Sequence, residues 1–210
     1  MLRPAAGGRV NVTASQFAKL ASGNIWIYAN SKVTSINDGV PVTSTRTDTY
    51  LLGVATATGV TEISTTFINT PAPAGPFVST SSLKLDTAGN LVSADIADVI
   101  TTVLPANLTV GTFWTYGNST VKVTGINTSH TNSAGTFNDV MTLSVTGSSS
   151  GTGTAGSWSD NWMGTVYLSM AVGNVIEDAM TTIYSLTFGG VTLNTTQTTT
   201  SILQPGYIAN

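Results

Sequence analysis

The chain has no cysteine among its 210 residues. Disulfides and thiolate metal sites are therefore excluded, and stability rests on packing and strand pairing. Charge is scarce too: Asp, Glu, Lys and Arg make up 8% of the chain, about a third of the ordinary share. Seven basic residues against ten acidic ones cannot supply the cation clusters that displace counterions from nucleic acid. The one histidine, His130, leaves an imidazole metal site without partners. No run of 18 apolar residues occurs, so no transmembrane helix is expected. Neither a metal nor a cofactor is expected.

What fills the chain instead is threonine (38 positions) and serine (22), beside a hydrophobic share of 41%. β-branched and aromatic residues recur throughout, and the net charge is only −3, which argues against disorder. The opening residues, Met1-Leu2-Arg3-Pro4-Ala5-Ala6-Gly7-Gly8-Arg9, lack the apolar segment of a signal peptide. A neutral, hydroxyl-rich surface suits an exported protein, so an extracytoplasmic location with the leader removed is expected.

Residues 1–12 read as a flexible lead-in, and 13–210 as one β domain. Thr13 followed by Gln16 fits a capping box, predicting a short helix over 14–21 ended by Gly23. Ile25-Trp26-Ile27-Tyr28 is a run of strand formers, and Asn37-Asp38-Gly39 predicts a hairpin turn with positive φ at Asp38-Gly39. Residues 49–58 and 60–68 read as paired strands around Gly59. Prolines 71, 73 and 76 predict a loop over 70–76. A hairpin should turn at Ala88-Gly89-Asn90. Residues 94–104 fit either a helical stripe or a buried strand over 99–104. Further strands are expected at 112–117, 120–126, 138–147, 163–172, 181–188 and 190–200. Residues 148–156, built from Ser, Gly, Thr and Ala, read as a flexible hairpin tip.

One pattern repeats. Gly23-x-x-Trp26-x-Tyr28-x-Asn30-Ser31 returns as Gly111-x-x-Trp114-x-Tyr116-x-Asn118-Ser119, and Lys-Val-Thr follows both, at Lys32 and Lys122. This implies two similar halves, 13–105 and 106–210, or one sheet that reuses a strand-start device. In each copy Gly permits a tight bend, and Trp and Tyr, two apart, share a face. Core packing is the expected role of these rings; an aromatic strip on an open face is the alternative.

These residues also resemble a group of exported bacterial lipoprotein-like β-proteins of unknown function. The shared pattern is Leu104-Pro105-x-x-Leu108-x-x-Gly111-x-x-Trp114-x-Tyr116, then Ala134-Gly135-Thr136-Phe137-x-Asp139-Val140, then Tyr167 with Val172-Gly173-x-Val175. Residues 17–23 look like a weaker first copy, in which 14–21 need not be helical. The resemblance implies a curved antiparallel sheet, half-barrel or open-barrel-like, with at most one or two short helices. It implies no catalytic residues. The sequence lacks the group's lipobox cysteine, which leaves membrane anchoring open.

Chemistry-bearing residues are few. His130, in Thr128-Ser129-His130-Thr131-Asn132, reads as an exposed loop histidine, and no Gly-x-Ser-x-Gly elbow accompanies it. A glycosidase needs two carboxyls roughly 5–9.5 Å apart; Glu62 with Glu177 is one combination, and nothing in the spacing favours it. Glu177-Asp178 read as the mark of a strand end. Asp86-x-x-Gly89-Asn90 and Asn37-Asp38-Gly39 lack the ligand spacing of a calcium loop. Trp158 and Trp162 flank a turn, where they could stack on sugar rings or clamp a sheet edge. With Tyr207 they are the candidate ligand contacts. Five Asn-x-Ser/Thr sequons carry little weight in so hydroxyl-rich a chain.

The expectation is therefore a non-enzymatic extracytoplasmic β-protein that binds a ligand or protein partner or serves as a structural module. The alternatives are a structural subunit of a surface appendage or virion, self-assembling through strand edges with 190–210 as the donated strand, and an enzyme acting on polysaccharide. A binding module should show ring faces in an apolar concavity, an assembly subunit long unprotected edges, and an enzyme paired carboxyls in a cleft.

Overall fold

The structure is a computed structural model that describes residues 10–56, 59–94, 100–154 and 156–210. In chain order the elements are β1 (Val12–Thr13), α1 (Ala14–Phe17), β2 (Ile25–Ile36), β3 (Val42–Thr56), β4 (Gly59–Thr70), β5 (Ala74–Leu85), β6 (Leu91–Ala94) and β7 (Ile100–Leu104), followed by β8 (Asn107–Leu108), β9 (Phe113–Tyr116), β10 (Ser119–Asn132), β11 (Gly135–Gly153), β12 (Gly156–Ser169), β13 (Asn174–Phe188) and β14 (Val191–Leu203). Twelve strands form one antiparallel sheet in the order β7-β6-β5-β4-β3-β2-β14-β13-β12-β11-β10-β9, curved into a nearly closed barrel. Around the ring the strands follow chain order. The ring is sealed where the last strand pairs with the first, Ser31 opposite Thr200 and Tyr28 opposite Leu203. It stays open where β7 and β9 lie side by side without a hydrogen-bonded ladder.

Period-two alternation decides which side chains face the lumen. On β3, Ser44, Arg46, Asp48, Tyr50 and Leu52 share one face and Thr43, Thr45, Thr47 and Thr49 the other. Cross-strand pairing carries the first set onto Trp26, Tyr28 and Asn30 of β2, all three buried. The outward set meets water, where hydroxyls cost nothing to expose. Threonine therefore serves as a strand former on the outer face and needs no charge there.

Two apolar clusters fill one end of the barrel. One gathers Val12, Phe17, Leu104, Leu108, Val123 and Leu168; the other gathers Trp26, Leu52, Val172, Ile176 and Leu203. Val12, expected in the lead-in, is core: it pairs with Leu108 and is 3% exposed. The helix is a single turn. Gln16 Oε1 accepts from the Thr13 N–H at 2.7 Å, as the capping box requires, but the helix stops at Phe17, far short of Gly23. So short a helix persists only through the burial of Ala14 and Phe17.

Several expectations need correction. In the first hairpin the positive φ values fall on Asn37 (46°) and Asp38 (56°), one residue earlier than expected, closed by Gly39 N–H to Ile36 O at 2.8 Å. Pro76 is not in a loop. It lies in β5 at a bulge where the register shifts between Thr66 and Ile68, a place where a missing N–H is tolerated. Residues 148–153 belong to β11, paired from Ser148 opposite Asn161 to Gly153 opposite Gly156. The expected flexible tip over 148–156 is thus strand on both sides, and Ala155 lies outside the described residues. Of 94–104, residues 100–104 are strand and 95–99 lie outside the described residues, as do 57–58, expected as the end of the strand over 49–58, and the start of the lead-in. The 190–210 segment is no loose strand, because β14 sits between β13 and β2 and Ile208 bridges back to Ile25. The sheet edges are short, five residues in β7 and four in β9, and each faces the other.

The repeated motif reproduces one backbone device. Gly23 N–H donates to Leu52 O (2.8 Å) while Leu52 N–H donates to Asn24 O (2.9 Å). Likewise Gly111 N–H donates to Val123 O (2.9 Å) while Val123 N–H donates to Thr112 O (2.8 Å). Both glycines hold the positive φ this entry needs, 86° and 96°. Beyond the tyrosine the copies part. β2 runs straight to Ile36, whereas Gly117 (φ 57°) turns the chain into β10. Lys32 is thus in the same strand as its Trp and Lys122 in the next, so that echo has no structural counterpart. Trp26 is 2% exposed, but Trp114 is only half-buried and Tyr116 is exposed.

Candidate functional site

The closed end of the lumen is built by the segments that carried the family resemblance. Trp26 Nε1 donates to Val172 O at 3.3 Å, and Tyr28 Oη donates to Val175 O at 2.7 Å. Asp139 holds the same turn from the other side, accepting from Ser169 Oγ at 2.8 Å and from the Ala171 N–H. Gly173 (φ 69°) must be glycine on two counts: its backbone is left-handed, and a Cβ there would sit 1.9 Å from Lys19 Cγ. The second motif copy makes no such anchor. The indole nitrogen of Trp114 is buried with no hydrogen-bond partner among the described residues.

Above this floor is a cavity of about 310 Å³, walled by Trp26, Tyr28, Tyr50, Leu52 and Leu83 and by the carboxyls of Glu62 and Asp178. Three acidic residues thus face the lumen at mid-height, and their environments differ. Asp48 is buried and fully partnered: it accepts from Asn30 Nδ2 (3.0 Å), Arg46 Nε (3.1 Å) and Thr66 Oγ1 (2.6 Å). Among the described residues, Glu62 accepts from the Ser81 hydroxyl alone, at 3.3 Å. Burial raises its pKa, and the Ser81 bond offsets that in part. Asp178 is pushed up to about 6, mainly by burial, against the lowering effects of its Ser201 hydrogen bond and the more distant Arg46. Burial likewise raises Tyr28 and Tyr50, so both phenols keep their protons. Their rings meet edge to face, with centroids 5.6 Å apart.

The open half of the lumen holds the two tryptophans flagged by sequence. Trp158, Asp160 and Trp162 alternate on the lumenal face of β12, in register with Gly151, Ser149 and Gly147 of β11 and with Leu186, Tyr184 and Thr182 of β13. Each indole lies against a glycine. A Cβ at Gly147 would come within 2.3 Å of the Trp162 ring, and one at Gly151 within 2.8 Å of the Trp158 ring. Trp162 Nε1 donates to Ser119 Oγ at 2.8 Å, and Trp158 is 36% exposed. Next to them a shallow hollow is lined by Asp160, Thr182, Tyr184, Thr195 and Gln197. Tyr207 is not with them; it packs at the far end against the Trp26 cluster.

His130 is not a loop histidine. It lies in β10, stacks on Tyr167 with centroids 3.9 Å apart, and places Nε2 2.9 Å from Glu177 Oε2. Glu177 therefore points away from the lumen, and the carboxyl that shares the cavity with Glu62 is Asp178. Glu177 and Asp178 lie inside β13 and do not mark its end. The Asp86 carboxylate is occupied with its own turn, taking the N–H groups of Ala88 and Asn90. Among the described residues no group of three acidic or histidine side chains could hold a metal. The cavity was hidden in the sequence. Its one signal is that Asp178 shares strand parity with Ile176 and Met180, and Glu62 with Val60.

The fold is thus an all-β, up-and-down antiparallel barrel, open along one seam, with a filled floor and an accessible lumen. No family model matches the chain, and no curated protein or solved structure does.

Proposed function

We propose that this protein is a non-catalytic, extracytoplasmic binding module that receives a carbohydrate chain in the open half of its lumen, across Trp158 and Trp162. One observation carries the reading: two indoles on one lumenal strand face flank Asp160, with Tyr184, Thr182 and Gln197 beside it. Four residues of strand separate the indoles by ~13 Å at ~3.3 Å per residue, a span longer than one sugar ring. Rings that supply apolar faces, alternating with a carboxylate and amide that take hydroxyl hydrogen bonds, match the two-sided character of a sugar. The glycines beneath the indoles leave room for them to lie against the sheet. The hydroxyl-rich, nearly uncharged outer face supports the extracytoplasmic setting.

The experiment is a titration with maltotetraose, cellotetraose and N-acetylchitotetraose, followed by tryptophan fluorescence. At least one should quench saturably, and Trp158→Ala and Asp160→Asn should each weaken it by about tenfold, or 1.4 kcal/mol. Saturation by none of the three, or unchanged affinity in Trp158→Ala, removes the reading. Release of shorter sugars that is lost in Glu62→Gln or Asp178→Asn would replace binding by hydrolysis.

A further inference from the structure

We infer that the cavity at the floor of the barrel is a second binding site, for a compact apolar molecule carrying a protonated or quaternary amine, received by the carboxylates of Glu62 and Asp178 among the rings of Trp26, Tyr28 and Tyr50. The site is separate from the tryptophan groove in the open half. The inference starts from the size and walls of the cavity, about 310 Å³ and lined mostly by apolar and aromatic side chains. A space of this kind with a few convergent polar groups is what small-molecule sites look like.

The polar groups select the ligand's charge. Glu62 stands on β4 and Asp178 on β13, and the curvature of the sheet brings both to the same cavity. Unlike Asp48, which Arg46 pairs directly, neither has a salt-bridge partner among the described residues. Each has a serine hydroxyl instead, Ser81 and Ser201. Carboxyls buried without a counter-charge are costly to ionise, so an entering cation gains what the chain does not provide. Aromatic faces around such a cation add attraction, as in aromatic cages for alkylammonium groups. An anion would meet two carboxyls, and a neutral apolar molecule would leave both unanswered.

The charges that face the site include one basic side chain among the described lining residues, Lys19. Its stem is packed against Gly173, and it makes no ion pair among the described residues. Arg46 is engaged with Asp48 and acts on Asp178 only from a distance. Glu177, next to Asp178, lies on the outer face against His130. Tyr28 and Tyr50 are neutral. Affinity for an amine should therefore rise with pH through about 6 as Asp178 ionises.

The test uses the full chain and three probes of similar shape: benzylamine, benzyltrimethylammonium and benzyl alcohol, titrated calorimetrically at pH 5 and pH 7.5. Both cations should bind at least about tenfold more tightly than the alcohol and more tightly at the higher pH. The isosteric double variant Glu62→Gln/Asp178→Asn should lose that preference while keeping its far-UV circular dichroism. Lys19→Met should bind the cations no more weakly than the parent. Equal binding of alcohol and amines, absence of saturable cation binding, or an unchanged preference in the double variant overturns the inference. Should that variant fail to fold, the pH dependence in the parent chain decides: affinity for benzyltrimethylammonium, whose charge is fixed, that does not rise with pH overturns it. None of these outcomes touches the glycan titration, which reads the other half of the lumen.

Discussion

Two tryptophans in the same sequence frame should respond with different sign to the same substitution. Trp26 is 2% exposed, and its Nε1 donates to Val172 O. Trp114 is half-buried, and its Nε1 is sequestered from water without a partner among the described residues. Replacing either by Phe shortens the ring and removes the N–H. At Trp26 this loses a hydrogen bond worth about 1 kcal/mol net and orphans a buried carbonyl, for about 1–2 kcal/mol beyond the loss of ring volume. At Trp114 it deletes a donor that already carries an unmet desolvation cost of about 1–3 kcal/mol, so the change should be neutral or slightly stabilising. Alanine extends the contrast: about 3–5 kcal/mol at Trp26, as for a large ring leaving a core, and roughly half that at Trp114, whose ring is already partly in water. Urea unfolding followed by circular dichroism, with midpoints compared at constant slope, gives the four values. Trp114→Phe as damaging as Trp26→Phe would refute the assignment of partnered and orphaned indoles.

Other outcomes follow from the same contacts. Gly147→Ala would place a Cβ 2.3 Å from the Trp162 ring and should cost about 1–3 kcal/mol, as overpacking does; in a double-mutant cycle with Trp162→Ala most of that cost should disappear. Asp178 titrates at about 6 in the folded chain, against 3.8 for an unperturbed aspartate. The folded state thus binds more protons between these values, and the contribution of this residue is fully present below about pH 4 and lost as pH rises through about 6. The difference in urea midpoint between the parent and Asp178→Asn, measured from pH 4 to pH 7.5, should follow that decline; a flat difference would contradict it.

What the sequence could reveal was set by how local the signals are. Strand type was legible because the side-chain period is two and turn residues punctuate it, so Gly59 and Ala88-Gly89-Asn90 mark hairpins found in the structure. Strand length was not. Residues 148–153 carry no side chain larger than Thr and look like a loop, yet they pair fully with β12, where Trp158 lies over Gly151 and Trp162 over Gly147 just before them. Tyr207 could not be separated from the two tryptophans by composition; only the path of the C-terminal segment, pinned by Ile208 to Ile25, sends it to the other end. The union of Glu62 with Asp178 depends on the curvature of a twelve-stranded sheet. His130 was misread because its neighbours are polar, whereas its environment is set by Tyr167 and Glu177, both remote in sequence.

The seal between β14 and β2 has a bearing on how the chain folds. Each half of the ring consists of neighbours joined by hairpins, contacts that close quickly and locally. Ser31, by contrast, meets Thr200, so the ladder that completes the ring bridges nearly the whole chain and pays the largest loop-closure entropy. On the ribosome the β2 edge therefore stays open until the last strand has emerged, a 12-residue ribbon whose one charge is Lys32, available for mispairing in the meantime. Folding should show a fast phase for hairpin formation and a slower one for docking of β14, and a chain truncated before Val191 should accumulate as aggregate.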